Sequence, residues 1–145
     1  MRNFSQFKRD SSGSAAVEFA LIGPAFIGMF MGVLQLGMGM QNYNALRSIS
    51  ADVSRYAVVN YQTSNRLNIA QLQSYANGIA SAPPYGLVRN RFGATVSVAA
   101  NQRVTGANEY SIQVRYRVPT FLAIFGISDI PLTYTRPIFV VTATP

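Results

Sequence analysis

The segment that decides the fold is Gly13-Ser14-Ala15-Ala16-Val17-Glu18-Phe19-Ala20-Leu21-Ile22-Gly23-Pro24, in which one carboxylate stands at the start of a long apolar run. From Phe19 to Leu46 the chain contains no Asp, Glu, Lys or Arg. At 1.5 Å per residue this stretch exceeds the roughly 20 residues that a helix needs to cross a bilayer. The segment therefore predicts a membrane-spanning helix, and an ionisable residue at its entrance, Glu18, suggests a functional site.

Composition allows one small domain beside this span. The chain has 145 residues, 12% of them charged, a net charge of +7 and no cysteine, so it carries neither a disulfide framework nor a lipoprotein anchor. Basic residues flank the span on both sides, with Arg2, Lys8 and Arg9 before it and Arg47 and Arg55 after it. The distribution of basic residues therefore favours an N-terminus inside the cell but does not by itself determine it.

The chain divides into three predicted parts. Residues 1–13 are polar and basic and end in the breaker cluster Asp10-Ser11-Ser12-Gly13, which predicts a leader peptide or a disordered tail. We expect residues 14–59 to form one helix that crosses the membrane and extends beyond it, with Ser14 as its N-cap. Residues 60–145, called the head below, are predicted to form a globular α+β domain.

The emerging half of the long helix carries an apolar stripe. Leu46, Ile49, Val53 and either Ala57 or Tyr56 recur at steps of three and four residues. This spacing predicts that the helix continues out of the membrane and packs the stripe against the head.

The head is predicted to contain one short helix and a three-stranded antiparallel sheet. Apolar residues recur at helical spacing between Ile69 and Ile79, and Pro83-Pro84 ends that helix. The predicted strands cover residues 94–100, 110–118 and 130–141. Strict alternation marks the second strand. Pro137 interrupts the third and favours an edge strand or a bulge.

Three connections in the head carry predictions of their own. Residues 60–68 are expected to form a loop, and residues 101–108, which include Gly106, to join the first two strands as a hairpin. Phe121-Leu122-Ala123-Ile124-Phe125 lies between Pro119 and Gly126. We expect this apolar segment to be either a core-filling turn or an exposed contact surface.

The first quarter of the chain resembles proteins of the type IV pilus superfamily. The run from Gly13 to Glu18 resembles the prepilin processing site of the type IV pilus superfamily, in which a peptidase cuts after the glycine and a glutamate is fifth in the mature chain. Counting from Ser14, Glu18 is that fifth residue. The string Ala15-Ala16-Val17-Glu18-Phe19-Ala20-Leu21-Ile22, followed by Pro24 and Phe26, is similar to the TadE-like family, minor pilins or pseudopilins of the tight-adherence pilus.

This resemblance implies a function in pilus assembly. It implies cleavage between Gly13 and Ser14 by prepilin peptidase at the cytoplasmic face, with the N-terminus inside and a pilin-like head outside the bacterial cytoplasmic membrane. Glu18 would pair with the free amine of a neighbouring subunit's Ser14 and set the subunit register. The implied partners are the prepilin peptidase, other pilins and pseudopilins of the same pilus, the inner-membrane assembly platform and the membrane itself.

The span also contains candidate helix-packing residues. Pro24 is predicted to kink the helix. Gly28 and Gly32 form a GxxxG pattern, with Gly39 near the same face, and small residues of this kind let membrane helices approach closely. Gln35 could donate a hydrogen bond across such an interface.

The residue inventory argues against catalysis and cofactor binding. The chain has no His and no Cys, and the carboxylates after Glu18, namely Asp52, Glu109 and Asp129, are far apart in sequence. We find no phosphate-binding, dinucleotide-binding or metal-ligand motif. The sequence therefore predicts a protein that is not an enzyme and that has no catalytic residues, no metal site and no cofactor.

Two other function classes compete with a role in pilus assembly. Alternation along the second predicted strand places Arg115 and Arg117 on one face, with Tyr110 and Tyr116 on the other. Nucleic-acid surfaces combine basic and aromatic side chains on one face, so this arrangement makes such a surface less favourable. No nucleic-acid partner is expected. The competing hypothesis is an uncleaved bitopic membrane protein whose basic head binds an envelope ligand or partner, in which Glu18 would be replaceable.

Overall fold

The chain folds as a long helix followed by a small α+β unit, in a computed structural model that describes residues 11–63 and 65–141. The helices are α1 (Ser11–Gln62) and α2 (Ile69–Ala80), and the strands are β1 (Phe92–Val98), β2 (Ala107–Val118) and β3 (Ile130–Val141). Short 3-10 turns cover Arg89–Arg91 and Leu122–Phe125. The predicted fold class is confirmed, whereas residues 1–10 of the expected leader lie outside the described residues.

Helix α1 is longer at both ends than the sequence predicted. It begins at Ser11, so Ser14 lies inside the helix, and the prediction that Ser14 is the N-cap is wrong for this uncleaved chain. The helix runs through Pro24 and continues to Gln62. Near its end the Asn60 side chain donates to the carbonyl of Tyr56 at 2.8 Å, which keeps this polar residue within the helix instead of in the predicted loop.

Helix α2 is defined by side-chain caps and by its apolar face. The Asn68 carboxamide oxygen accepts from the backbone N–H of Gln71, and the Gln71 side chain accepts from the backbone N–H of Asn68, both at 2.8 Å. This reciprocal capping box satisfies two backbone donors that the first turn of a helix leaves free. Leu72, Ala76 and Ala80 are buried at four-residue steps, so one face of α2 packs on the head.

The three strands form one antiparallel sheet in the order β1-β2-β3. Strand β3 has the predicted bounds, and its register against β2 is unbroken from Val118 opposite Ile130 to Ala107 opposite Val141. Pro137 therefore sits in an edge strand without a bulge, where its missing N–H can face away from the partner strand. The first strand begins two residues earlier than predicted.

The main core lies between the emerging half of α1 and one face of the sheet. The predicted stripe of α1 is confirmed, because Leu46, Ile49, Val53 and Ala57 are all buried. They are joined in the core by apolar residues of the sheet, chiefly Ile112, Val114, Val118, Ile138 and Val140. The head thus shares its core with the helix that carries the N-terminal segment.

The apolar segment between β2 and β3 forms a 3-10 turn on the surface. The turn ends at Gly126, whose φ of +76° is in the left-handed region that favours glycine. Phe121 before the turn is 54% exposed and Ile127 after it is 45% exposed. Among the side chains that the structure describes in the predicted segment 121–125, Phe121 and Ala123 are exposed and Leu122 is half-buried, which favours the exposed apolar surface of the two alternatives.

Candidate functional site on the N-terminal helix

The N-terminal half of α1 stands clear of the head. Its large apolar side chains are exposed, and they include Val17, Phe19, Leu21, Ile22, Phe26, Ile27, Met29, Phe30, Val33 and Leu36. The most apolar window of this helix is long and apolar enough to cross a membrane, and none of it is buried within the chain. An apolar helix surface of this size without an intramolecular partner fits a single-pass membrane protein.

Glu18 lies at the start of this apolar surface. Its side chain is exposed, and Oε1 accepts a long hydrogen bond of 3.4 Å from the Ser14 hydroxyl one turn earlier. Within residues 11–63 and 65–141, no Lys or Arg forms an ion pair with this carboxylate. The structure therefore brings Ser14 and Glu18 together on one helix face and leaves the acidic group able to accept from another molecule.

Gly13 is exposed on the same helix, directly before Ser14. A Cβ built on Gly13 meets no atom within 4 Å. An alanine therefore fits here without a clash, so a substitution at this position tests recognition of the residue and leaves packing unchanged.

The predicted helix-packing residues Pro24, Gly28 and Gly32 follow one another at four-residue steps along one face of α1. Gly28 and Gly32 are half-buried, whereas Pro24 is exposed. A Cβ built on Gly32 or Gly39 meets nothing within 4 Å, so no side chain of the described head fills the space beside these glycines. This bare backbone is open to the close approach of another helix.

Gln35 has a different role from the one the sequence suggested. Its side chain is only 3% exposed. The amide Nε2 donates to the carbonyl of Pro119 at 3.1 Å, and Oε1 accepts from the backbone N–H of Phe121 at 3.1 Å. Both ends of the amide are thus bonded within the chain, which corrects the expectation that Gln35 bonds across a helix interface. An isolated amide in an apolar run indicates that the side chain needs a hydrogen-bond partner. The sequence does not identify that partner, because both bonded groups lie more than 80 residues away.

The basic residues of β2 lie where alternation predicted. Arg115 and Arg117 are exposed, whereas Tyr116 between them is buried on the other face of the sheet. The Tyr110 hydroxyl lies 3.2 Å from that of Tyr61 on α1, and this hydrogen bond together with partial burial raises the pKa of Tyr110. The hydroxyl pair ties the far end of the sheet to the end of α1.

The three carboxylates after Glu18, namely Asp52 on α1 and Glu109 and Asp129 in the head, all have partners. Glu109 is buried, and its Oε1 accepts from Arg103 Nε at 2.8 Å while Oε2 accepts from the Arg103 backbone N–H at 3.1 Å. The hydrogen bonds from Arg103 lower the pKa of Glu109, although burial opposes them. Asp129 pairs with Arg91 at 2.7 Å.

Asp52 on α1 accepts a 2.6 Å hydrogen bond from the Tyr85 hydroxyl. Burial, followed by this bond and the charge of Asp52, raises the pKa of Tyr85 to about 12. Among the described residues, no group of three His, Cys, Asp or Glu side chains is close enough to hold a metal ion. The hydrogen bonds and ion pairs of Asp52, Glu109 and Asp129 therefore join separate segments of the fold.

Comparison with known proteins assigns the N-terminal helix. No curated protein and no solved structure matches the chain. A family model does match, over less than a third of the chain, and the matched segment contains Glu18, the whole charge-free stretch and most of the buried stripe of α1. Proteins of this family are associated with the tight-adherence pilus and are structural rather than catalytic. Residues 13–55 match the family model described as TadE-like protein, so the N-terminal helix of this chain is similar to the helix of that family.

Proposed function

We propose that this chain is a minor pilin or pseudopilin that is required to assemble a tight-adherence pilus. The observation that carries the proposal is the TadE-like helix α1, whose apolar half stands clear of the head with Gly13, Ser14 and Glu18 exposed at its start. A surface of this kind is available both to lipid before assembly and to neighbouring helices afterwards.

Processing at Gly13 would create the group that Glu18 needs. Cleavage by prepilin peptidase after Gly13 would leave a free amine on Ser14, and that amine would be protonated near neutral pH. Attraction between this amine and Glu18 of a neighbouring subunit is stronger in lipid-like surroundings than in water, but desolvation offsets much of the gain. The pair would therefore set the axial register of the subunits more than it would add stability.

The packing face of α1 fits a helical assembly. Gly32 and Gly39 are half-buried, but a Cβ built on either meets nothing within 4 Å, so a neighbouring helix could approach closely there, and Gly28 continues the same face. In this proposal the head lies outside the cytoplasmic membrane, at the base of the pilus or in the filament. The inner-membrane assembly platform and other pilins are then the partners of α1.

The first test is the N-terminal residue of the protein recovered from membranes of its native host, with and without the prepilin peptidase. We expect a chain that begins at Ser14 only when the peptidase is present. Gly13→Ala should block this processing, because it alters the cleavage position without a steric clash. A chain that keeps Met1 under both conditions would refute the proposed processing.

The second test addresses register. Glu18→Gln and Glu18→Ala remove the carboxylate charge and should reduce surface piliation at least tenfold while leaving processing and membrane insertion intact. Val17→Ala is the matched control, since it changes an exposed neighbour on the same helix and keeps the charge. Normal piliation in both Glu18 variants would show that the register mechanism is wrong.

A second candidate function is an uncleaved bitopic protein whose basic head binds an envelope ligand or partner. Arg115 and Arg117, exposed on the open face of the sheet, favour it. This alternative predicts that residues 1–13 persist in the membrane-bound protein and that Glu18 variants behave like the original chain.

A further inference from the structure

Gln35 fixes the height of the head along α1. Its two hydrogen bonds hold the backbone at Pro119 and Phe121, so the turn after β2 lies at the level of residue 35. If the hydrocarbon core begins at Phe19, directly after Glu18, a core about 30 Å thick ends near residue 38. Gln35 then lies about 24 Å into this core. If the helix is tilted, the same residue lies farther below the outer surface of the core.

The turn at that level presents apolar side chains. Phe121 and Ile127 are about half exposed, and Ala123 between them is exposed. Exposed phenylalanine and isoleucine in a turn that sits at the border of a hydrocarbon core are continuous with the apolar surface of α1. An apolar medium therefore suits this surface better than water does.

The backbone of the turn is also prepared for an apolar medium, in which every polar group needs a partner. The N–H of Gly126 donates to the carbonyl of Ala123 at 3.0 Å, and the N–H of Ile127 donates to that of Leu122 at 3.3 Å. The N–H of Leu122 donates to the Thr120 hydroxyl at 3.0 Å. Together with the bond from the Phe121 N–H to Gln35, these contacts satisfy four backbone donors of the turn, two at its start and two at its end.

Arginines surround the same end of the sheet. Phe92 of β1 pairs with Tyr116, and Val118 pairs with Ile130, so the start of β1, the end of β2 and the start of β3 lie together above the turn. This end carries Arg89, Arg91, Arg115 and Arg117. Asp129, the acidic side chain that the structure describes here, is already paired with Arg91.

An open groove joins the arginines to the turn. It has a volume of about 690 Å³, and its lining includes Arg91, Arg117 and Asp129 together with Ala123 and Ile127. Because Asp129 is paired with Arg91, Arg117 is the lining cation without an ion pair among the described residues, and a phosphate group beside it and an acyl chain beside the apolar residues fit this lining.

We propose that the turn at residues 119–127 inserts into the outer leaflet of the membrane that α1 crosses, and that the surrounding arginines contact anionic phospholipid headgroups. The proposal rests on the proposed membrane-spanning role of α1. It gives the head a second membrane attachment besides the helix and holds the sheet at a set height and orientation over the bilayer.

The test uses single-cysteine variants of the full chain, which has no cysteine of its own. Phe121→Cys and Ile127→Cys are labelled with an environment-sensitive fluorophore and placed in lipid nanodiscs that contain phosphatidylcholine, phosphatidylglycerol and lipids brominated along the acyl chain. We expect brominated lipid to quench both probes at least twofold. Val104→Cys, an exposed apolar position 49% exposed on the hairpin at the opposite end of the sheet, is the matched control and should not be quenched.

A probe at Phe26→Cys, in the apolar half of α1, separates the two ideas. Quenching at position 26 but not at 121 or 127 would overturn the proposed insertion while leaving the membrane span intact. Absence of quenching at position 26 would overturn the span and, with it, the insertion. A turn that docks on a second subunit instead would stay unquenched in nanodiscs that hold one copy, which also overturns the proposal.

A separate set of measurements tests the contact between the arginines and the lipid headgroups. Replacing phosphatidylglycerol with phosphatidylcholine, or introducing Arg117→Gln, should reduce quenching at position 127 by a measurable factor. Arg66→Gln, which lies in the loop before α2, is the control and should have no effect. Equal quenching under all these conditions would show that the turn inserts without the arginines, and the headgroup part of the proposal would be wrong.

Discussion

At the scale of single residues, the buried carboxylate Glu109 depends on one cation. Its side chain is only 4% exposed, and both of its oxygens accept hydrogen bonds from Arg103. The guanidinium of Arg103 also lies 5.4 Å from the ring centre of Phe139 on β3. Because a buried carboxylate is costly without a partner, this contact favours the ionised form and joins the hairpin loop to the sheet.

The lowered pKa of Glu109 predicts how the head responds to acid. The folded state binds this proton less readily than the unfolded state, so its contribution to stability is present above the ordinary carboxyl pKa and is lost as the pH falls through the lowered value. We expect the thermal midpoint of the full chain in detergent to fall more between pH 6 and pH 3 than that of Glu109→Gln. Equal falls would contradict a stabilising role for the ionised carboxylate.

Tyr85 gives a second prediction, at high pH. Its pKa is raised from 10.0 to about 12, first by burial and then by Asp52. The folded state keeps this proton longer than the unfolded state, so the contribution to stability is complete below pH 10 and is lost as the pH rises toward 12. Asp52→Asn should lower the pKa only part of the way, since burial remains.

The measurement for Tyr85 is an NMR titration of the full chain carrying ring-labelled tyrosine, with Tyr85→Phe used to assign the resonance. An Asp52→Asn variant whose Tyr85 still titrates near 12 would show that the carboxylate contributes nothing.

At the scale of elements, α1 performs two tasks with two different surfaces. Its N-terminal half is exposed and apolar, and its C-terminal half buries one stripe against the sheet. Periodicity distinguishes the halves, because the first is apolar on all sides and the second only at steps of three and four residues. The same continuous helix therefore provides a segment that fits a membrane span and a stripe that belongs to the head's core.

Two valines on the second half of α1 offer a matched pair. Val53 is fully buried, whereas Val59 is 49% exposed, and both lie in the same helix. We expect Val53→Ala to lower the free energy of unfolding by about 2 kcal/mol from lost apolar burial and the cavity left behind. Val59→Ala should change it by less than about 0.5 kcal/mol.

Urea unfolding of the head in detergent, followed by tyrosine fluorescence, measures both valine variants. Similar losses at the two positions would mean that the stripe does not carry the packing assigned to it.

At the scale of the whole molecule, the head is incomplete without α1. The sheet face formed by Ile112, Val114 and Val118 is covered by the stripe that α1 supplies. Residues 60–145 alone would expose this face to water, so we expect that this predicted domain does not fold without the stripe of α1.

A pair of fragments tests this dependence. Residues 60–145 should remain unfolded in solution, because they lack the four stripe residues. Residues 38–145 retain the stripe and should fold into the α+β unit. Amide chemical-shift dispersion by NMR distinguishes the two states, and a well-dispersed spectrum from residues 60–145 would show that α1 is dispensable for the head.

Much of the candidate site was readable from local sequence. The long charge-free stretch, the position of Glu18 and the buried stripe at Leu46, Ile49 and Val53 follow from composition and spacing within a few turns. Element boundaries were less accurate, since α1 runs to Gln62 and includes the first three residues of the predicted loop, where the Asn60 side chain donates to the carbonyl of Tyr56. Residues missed by sequence reasoning were polar ones whose partners are distant.

By itself, the sequence determined the order of the elements, the apolar helix and the resemblance of its first turns to TadE-like proteins, because backbone periodicity and membrane length depend on neighbours along the chain. Only the tertiary structure decided that Gln35 holds the turn at Phe121 and that Tyr85 meets Asp52. These pairs form when packing of the sheet and loops on one another and on α1 brings distant residues together, and no local pattern encodes that placement.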